Sequence, residues 1–350
     1  MAFILAATGS AVGLGNIWRF SYMVGDSGGA AFVLVYLACV ALVGLPILVA
    51  EWLIGRRGQE NPINSMLDLA RQSGRLPAWA LVGASGVLAA FLILSFYGVI
   101  GGWSLSYTLS SVTGAFSGQD ADAIGALFGG LLGSPVTMTL WHTAFMALVI
   151  FIVARGVTKG LEGAVRTMMP ALVVLMLVLV GYGMTTGHFG EALAFMFRPD
   201  WSAVTGGVVL AAMGQAFFTL SLGMGIMMAY GSYLGEDVNL ISTARTVIIL
   251  DTVIALLAGM AIFPIVFANG MSPGEGPGLI FVSLPVAFGN MTGGTLLGLM
   301  FFLLLTFAAL TSAISLLEPV VELVEERTPL SRVAATLTSG VAVWALGIAA

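Results

Sequence analysis

Long apolar runs are the feature that most limits how this chain can fold. Runs of about 20 residues, the length that a helix needs to cross a bilayer, fall at 2–23, 30–54, 79–112, 137–155, 162–186, 204–233, 243–268, 294–318 and 331–350. Only 8% of the residues are charged, against roughly a quarter in soluble domains. Because lipid cannot satisfy exposed backbone polar groups, the sequence predicts an all-α polytopic membrane protein with about nine transmembrane helices.

Basic residues indicate the orientation. With nine helices, all but two of the 12 Lys and Arg residues lie on one side of the membrane, and the exceptions are Arg19 and Arg198. Basic residues collect on the cytoplasmic side. The pattern predicts a multi-pass protein with a cytoplasmic N-terminus and an extracellular loop at 271–293. Glu51, which precedes Arg56 and Arg57, is expected near the cytoplasmic end of the second span.

Two of the predicted helices contain residues that interrupt helices. The first carries Gly9, Gly13 and Gly15, and the sixth carries Gly223 and Gly225. Glycine lowers helix propensity, and open backbone inside a membrane persists only where protein, ion or water satisfies its polar groups. For the first helix taken alone, the alternative is a close helix-packing face, because small residues four apart also form such faces.

The positions of these two helices favour an inverted repeat. Helices one and six are five helices apart, so they enter the membrane from opposite sides. Interrupted helices at corresponding positions of inverted repeats point to the binding site of a secondary transporter. We therefore expect one five-helix repeat at 1–186 and an incomplete second repeat, helices six to nine, at 204–350, which includes the loop 271–293.

Polar side chains with oxygen atoms lie near the interruptions and in the eighth helix: Asn16, Thr219, Ser221, Thr311 and Ser312. Hard oxygen donors suit alkali and alkaline-earth cations, although each hydroxyl has the alternative of bonding its own helix backbone. Asp251 is a charge within an apolar run, where carboxylates usually face a cavity, an ion or a partner. The alternative is a carboxylate at the end of a span, solvated or paired with Arg245.

Four segments resemble the neurotransmitter:sodium symporters: Gly9–Phe20, Gly44–Arg56, Gln215–Gly225 and Leu310–Ser312. The bacterial amino-acid transporters of that family are the members that the chain resembles most, which implies a location in the bacterial inner membrane, and the resemblance runs along nearly the whole chain. It implies the inverted five-helix repeat transporter fold with helices one and six broken. Because the family has further helices, the chain is expected to be a C-terminally truncated member that lacks the tenth.

The resemblance also implies the site residues. A first sodium ion would be held by Ala11, Asn16, Thr219 and Asp251. A second would be held by Gly9, Val12, Ala308, Thr311 and Ser312. The substrate would contact Ala11, Leu14, Gly15, Ile93, Tyr97, Ile100, Phe218, Thr219, Ser221, Met224 and Leu316. Arg19 and Phe218 would form the extracellular gate. The side-chain pocket in this set is apolar, which favours a neutral hydrophobic or aromatic amino acid.

Asp251 stands where the family usually has an amide, close to the anion of its chloride-dependent members. We therefore predict two bound sodium ions and no chloride requirement, with Asp251 supplying the compensating negative charge.

These expectations describe a sodium-coupled symporter that imports an amino acid by alternating access, with no catalytic residues and no nucleic-acid partner. A channel-like protein of the same fold would need a continuous polar lining. An intramembrane protease would need a catalytic pair at matched depth, which the sequence does not offer. A transporter-derived sensor or subunit is a further alternative, and a transport assay separates it from a symporter. The sequence does not indicate the oligomeric state.

Overall fold

The computed structural model describes residues 2–276 and 278–349, with the backbone alone for 2–6, 158 and 159. In chain order the helices are α1 (Ala2–Ala11), α2 (Phe20–Asp26), α3 (Ala30–Cys39), α4 (Leu45–Gly58), α5 (Pro62–Gln72), α6 (Ala80–Val112), α7 (Ala121–Leu132), α8 (Pro135–Ala154), α9 (Gly163–Thr185), α10 (Phe189–Phe197), α11 (Gly206–Thr219), α12 (Ile226–Ser232), α13 (Leu240–Ala268), α14 (Leu284–Asn290), α15 (Gly294–Arg327) and α16 (Arg332–Gly347). Turns of π-helix at Gly15–Arg19, Val40–Gly44, Val157–Glu162 and Leu279–Ser283 lead directly into α2, α4, α9 and α14.

Six segments of the described chain are long and apolar enough to cross a membrane, judged by length and composition. They are Ala30–Gly58, Pro77–Val112, Pro135–Ala154, Gly160–Thr185, Leu240–Ala268 and Gly294–Arg327. These segments correspond to predicted spans two to five, seven and eight. Predicted spans one and six are divided into shorter helices, and the helix in the ninth, α16, has 16 residues. The protein is therefore an all-helical, multi-pass membrane protein.

The eighth span is longer than predicted. Its helix, α15, continues through Pro319 to Arg327, past the predicted boundary at 318. Proline removes one backbone hydrogen bond, but Val320 and Val321 beyond it stay buried. Packing on both sides of the proline therefore keeps the helix continuous.

Helix α15 lies at the centre of the molecule. In its most apolar 18-residue window 72% of the residues are buried, against 28% in the window of α8. It packs along α6 and also contacts α1, α9 and α12. This arrangement brings the polar residues of α15 next to both divided helices.

The outer surface is apolar where a membrane would surround it. Exposed large apolar side chains occur on α6, α8, α9, α11 and α13, for example Leu88, Leu140, Leu177, Leu210 and Ile249. In a bilayer such side chains face lipid rather than water. The core is formed by buried Leu, Ile, Val and Met side chains together with aromatic rings and small residues, and the small residues permit close helix approach.

The predicted loop 271–293 contains a π-helical turn and α14. Phe281 in the turn is fully buried and stacks on Phe128 of α7 with ring centroids 5.6 Å apart. Its ring also meets Tyr107 of α6 edge to face at 5.2 Å. The loop is therefore packed against the helices.

Candidate functional site

The first divided helix opens just after α1. Val12 and Gly13 form a bend there, and side chains take up the amides that the bend leaves free. The Gly13 amide donates to Asn16 Oδ1 at 2.9 Å, and the Leu14 amide donates to the Tyr97 hydroxyl at 3.3 Å. Both backbone amides thus have hydrogen-bond partners within the protein, as the interior of a membrane requires.

The glycines of this helix have different roles. An ideal Cβ at Gly13 would lie 1.9 Å from Ser312 Oγ, so the open backbone closely approaches α15. Gly9 lies inside α1, where a Cβ would lie 2.6 Å from Val165 of α9. The interpretation of Gly9 as a helix breaker was therefore wrong, because this glycine serves close helix packing.

The second divided helix opens between α11 and α12. Ser221, Gly223 and Gly225 have φ angles of 54°, 74° and 72°, a left-handed conformation that glycine adopts readily and serine rarely. The Ser221 hydroxyl donates to the Ser10 carbonyl of α1 at 3.3 Å. The Gly223 amide donates to Glu51 Oε1 of α4 at 2.7 Å. The two openings are therefore joined to each other and to α4.

A buried carboxylate lies beside both openings. Asp251 of α13 is fully buried, so it is not a solvated residue at the end of a span. Its Oδ1 accepts hydrogen bonds from Asn16 Nδ2 at 2.7 Å and from the Thr219 hydroxyl at 3.0 Å. Among the described side chains no Lys, Arg or His lies within 4 Å of it, so the alternative of an ion pair with Arg245 is also excluded. A buried carboxylate without a cationic partner is costly, and this oxygen-rich position therefore fits a small hard cation.

A second group of oxygen atoms lies where α15 meets the first opening. The Thr311 hydroxyl donates to the Val12 carbonyl at 3.2 Å and to the Ala308 carbonyl at 3.0 Å. The Ser312 hydroxyl reaches the Ser10 carbonyl at 3.4 Å. The simpler alternative, a bond to the hydroxyl's own helix backbone, is thus present for Thr311, but both hydroxyls contact the first divided helix. This group likewise offers only hard, neutral oxygen donors.

A small cavity separates the two openings. Its lining residues are Ser10, Ala11, Gly15, Ile93, Tyr97, Phe218, Ser221, Met224, Ser312 and Leu316. Its volume is about 20 Å³, room for roughly one water molecule. The cavity is nearly closed in this conformation. A ligand the size of an amino acid would fit only after side chains of the lining move apart.

An arginine closes one end of this region. Arg19 Nη1 donates to Gln215 Oε1 at 2.7 Å, and its guanidinium lies 5.1 Å from the centroid of the Phe218 ring. Gln215 Nε2 in turn donates to the Gly15 carbonyl at 2.7 Å. These contacts link the two divided helices across the cavity.

The structure brings most of the predicted site residues together. Eight of the predicted substrate contacts line the cavity. Leu14, Ile100 and Thr219 do not: Leu14 contacts Tyr97 through its amide, Thr219 contacts Asp251, and Ile100 is buried on α6 about one turn beyond Tyr97. Gly9 lies in α1 before the opening, and the structure shows no contact that joins it to Thr311.

Three functional candidates were missed from the sequence. Ser10 lines the cavity, Gln215 holds Arg19, and Glu51 bonds the second opening. Glu51 was predicted only near the cytoplasmic end of the second span; in the structure it lies within α4 and is 5% exposed. An amide and a carboxylate in apolar helices were available as signals for Gln215 and Glu51, whereas Ser10 had none beyond its position next to Gly9.

Comparisons with known proteins agree with this arrangement. The model of the sodium:neurotransmitter symporter family matches residues 1–123 and 131–349. An uncharacterized sodium-dependent transporter, YhdH of Bacillus subtilis, is 41% identical over 99% of this chain and 76% of its own length. A second one, from Haemophilus influenzae, is 35% identical over 95% of this chain and 74% of its own.

A solved structure is also similar. The crystal structure of MhsT in complex with L-phenylalanine is 50% identical in sequence and superposes with a TM-score of 0.92, covering 99% of this chain and 78% of that one. The similarity therefore extends through both divided helices and α15. The chain belongs to the sodium:neurotransmitter symporter family.

Proposed function

We propose that this protein is a sodium-coupled symporter that imports a neutral hydrophobic or aromatic amino acid across the bacterial inner membrane. The observation that carries the proposal is the cavity between the two openings, flanked by the Asp251 carboxylate, which bonds Asn16, and by the Thr311 hydroxyl, which bonds the Val12 carbonyl. The proposal includes inverted repeats at 1–186 and 204–350 and a cytoplasmic N-terminus.

Two sodium ions would be held at these flanking positions. The first would take oxygen atoms from Asp251, Thr219 and Asn16, together with the carbonyl of Ala11 at the end of α1. The second would take Thr311, Ser312 and the carbonyls of Gly9, Val12 and Ala308. Each ion would bind groups from an opened helix and from a continuous one, and so would favour the conformation in which these helices are packed together.

The substrate would use the groups that the openings expose. Its carboxylate would lie near the first ion, the amides of Leu14 and Gly15 and the Tyr97 hydroxyl. Its side chain would lie against Ile93, Phe218, Met224 and Leu316. These are apolar, and the L-phenylalanine bound to the crystallised relative supports an aromatic or hydrophobic substrate. The Met224 thioether is flexible enough to adapt to several side chains.

Transport would proceed by alternating access. Closure of Arg19, Gln215 and Phe218 over the cavity would separate the substrate from one side of the membrane, and loss of sodium on the other side would release it. The apolar side chains Ile93, Phe218, Met224 and Leu316 in the cavity lining argue against the channel-like alternative, because a pore for ions requires polar groups along its length.

A binding experiment tests the proposal. Purified protein is titrated with labelled leucine, methionine, phenylalanine and tryptophan in sodium and in potassium at constant ionic strength, with glutamate and lysine as charged competitors. We expect saturable binding in sodium alone, which the charged amino acids do not displace. Binding that is equal in potassium, or no binding of any neutral amino acid to a folded sample, would contradict the assignment.

Thr311→Ala is expected to weaken sodium binding. It removes the hydroxyl between the Val12 and Ala308 carbonyls, a buried polar contact worth about 1–3 kcal/mol, and the apparent sodium affinity should fall about tenfold. Sodium titration of amino-acid binding measures the effect. Thr306→Ala is the matched control, since Thr306 is also buried on α15 but bonds Ser104 away from the openings. Equal losses in both variants would show a general packing effect.

A further inference from the structure

A groove with a free arginine lies at the end of α4, away from the cavity. Its volume is about 700 Å³, and it is bounded by the end of α4, by α5 and by the segment after α12. Its lining includes Leu53, Arg56, Arg57, Gln72 and Glu236. The arginine distribution predicts that this face of the protein is cytoplasmic.

The two arginines in the groove differ. Arg56 Nη1 donates to the Val238 carbonyl at 2.8 Å and so fastens α4 to the segment after α12. Arg57 is exposed and makes no hydrogen bond or ion pair with any described side chain, including Glu236. Arg57 is therefore a cation available to a ligand in the groove.

The position of Arg57 along its helix matches the layers of a bilayer. The span Ala30–Gly58 has 29 residues, or about 43 Å of helix, against roughly 30 Å of hydrocarbon. Its last turn therefore reaches headgroup level. Leu53, which is 40% exposed, lies four residues before Arg57 on the same helix face. The helix thus presents an apolar contact at acyl-chain depth and a cation about 6 Å above it.

We propose that this groove binds an anionic phospholipid of the predicted cytoplasmic leaflet. Arg57 would pair with the lipid phosphate, the Gln72 amide would donate to the headgroup, and Leu53 would contact the first part of an acyl chain. Basic pockets at the cytoplasmic ends of membrane helices recognise anionic headgroups. Leu53 favours a lipid over a free phosphate, because only the lipid has an acyl chain that can contact the exposed leucine beside the cation. The assignment is independent of the transported substrate.

The test compares lipids that share their acyl chains. The full chain in detergent is titrated with dioleoyl-phosphatidylglycerol or dioleoyl-phosphatidylcholine, and bound lipid is counted by native mass spectrometry. We expect tighter binding of phosphatidylglycerol, and Arg57→Gln should weaken that binding about fivefold, the contribution of one basic residue near a membrane surface. Arg57→Lys, which keeps the charge, should retain most of it.

Two controls separate the alternatives. Arg166→Gln removes an exposed arginine from α9, outside the groove, and should leave phosphatidylglycerol binding unchanged. Glycerol phosphate, which carries the headgroup without acyl chains, should not compete. No preference for phosphatidylglycerol, equal losses in the Arg57 and Arg166 variants, or effective competition by glycerol phosphate would each overturn the proposal. Circular dichroism of each variant establishes that it is folded.

Discussion

Asp251→Asn is expected to make sodium-dependent binding responsive to chloride. In the native protein, binding should be the same in sodium chloride and in sodium gluconate. In the variant, the apparent sodium affinity in gluconate should fall by about 10- to 100-fold, and chloride should recover part of the loss. A full charge a few ångströms from a cation contributes several kcal/mol inside a protein.

The physical reason is the charge balance around the carboxylate. Asp251 is fully buried, its hydrogen-bond donors Asn16 and Thr219 are neutral, and no described cationic side chain lies within 4 Å. A sodium ion would therefore be neutralised by Asp251 itself. An asparagine keeps the shape and an acceptor oxygen but leaves the ion uncompensated, and an external anion would then be favoured close by.

The measurement is a sodium titration of labelled amino-acid binding at constant ionic strength, with chloride and gluconate as the two anions. Asp237→Asn is the matched control, since it makes the same chemical change at an exposed position. Full sodium affinity of the Asp251 variant in gluconate would show that the carboxylate does not compensate the ion. A loss that chloride does not relieve would show that the surroundings of Asp251 cannot accommodate the anion.

The sequence was most informative where residue type and position along the chain predict the same structural feature. Apolar length predicted the continuous helices α6, α8, α9 and α13, and the glycines predicted that helices one and six open. Asp251 could be recognised because a charge in an apolar run needs an explanation. The resemblance to a known family then supplied the sets of residues around each opening, most of which the structure brings together.

The sequence was less informative where a role depends on the neighbouring helix. Gly9 and Gly13 look alike in the sequence, yet one packs against Val165 and the other approaches Ser312. Glu51 stands close to Arg56 and Arg57 in the sequence, yet its side chain is buried and accepts a hydrogen bond from the Gly223 amide. Neither contact has a signal in the linear sequence, because the partners lie on helices that only the fold brings together.

Glu51→Ala is expected to weaken amino-acid binding about tenfold. The change removes the charged acceptor of the Gly223 amide, and a hydrogen bond to a charged group contributes about 1.5–3 kcal/mol. Because this amide belongs to the opened backbone beside the cavity, we expect the cost to appear in the bound conformation. Glu51→Gln keeps a carbonyl oxygen at the same distance along the side chain, so it should retain most of the binding. Glu191→Ala, at an exposed position on α10, is the control.

Thermal unfolding of the ligand-free variants separates positioning from simple stabilisation. A positioning role requires that Glu51→Ala lowers the affinity of the folded protein and that Glu51→Gln restores it. If Glu51→Ala lowers only the unfolding temperature, and folded protein binds normally, then the carboxylate merely stabilises the fold.

Gly223→Ala adds an independent test of the same bend. A Cβ at Gly223 meets no atom within 4 Å, but its φ angle of 74° is unfavourable for alanine by about 1 kcal/mol. Any loss of binding in that variant comes from the backbone alone, so parallel losses in the two variants would identify the bend at Gly223, and not the charge of Glu51, as the element that shapes the cavity.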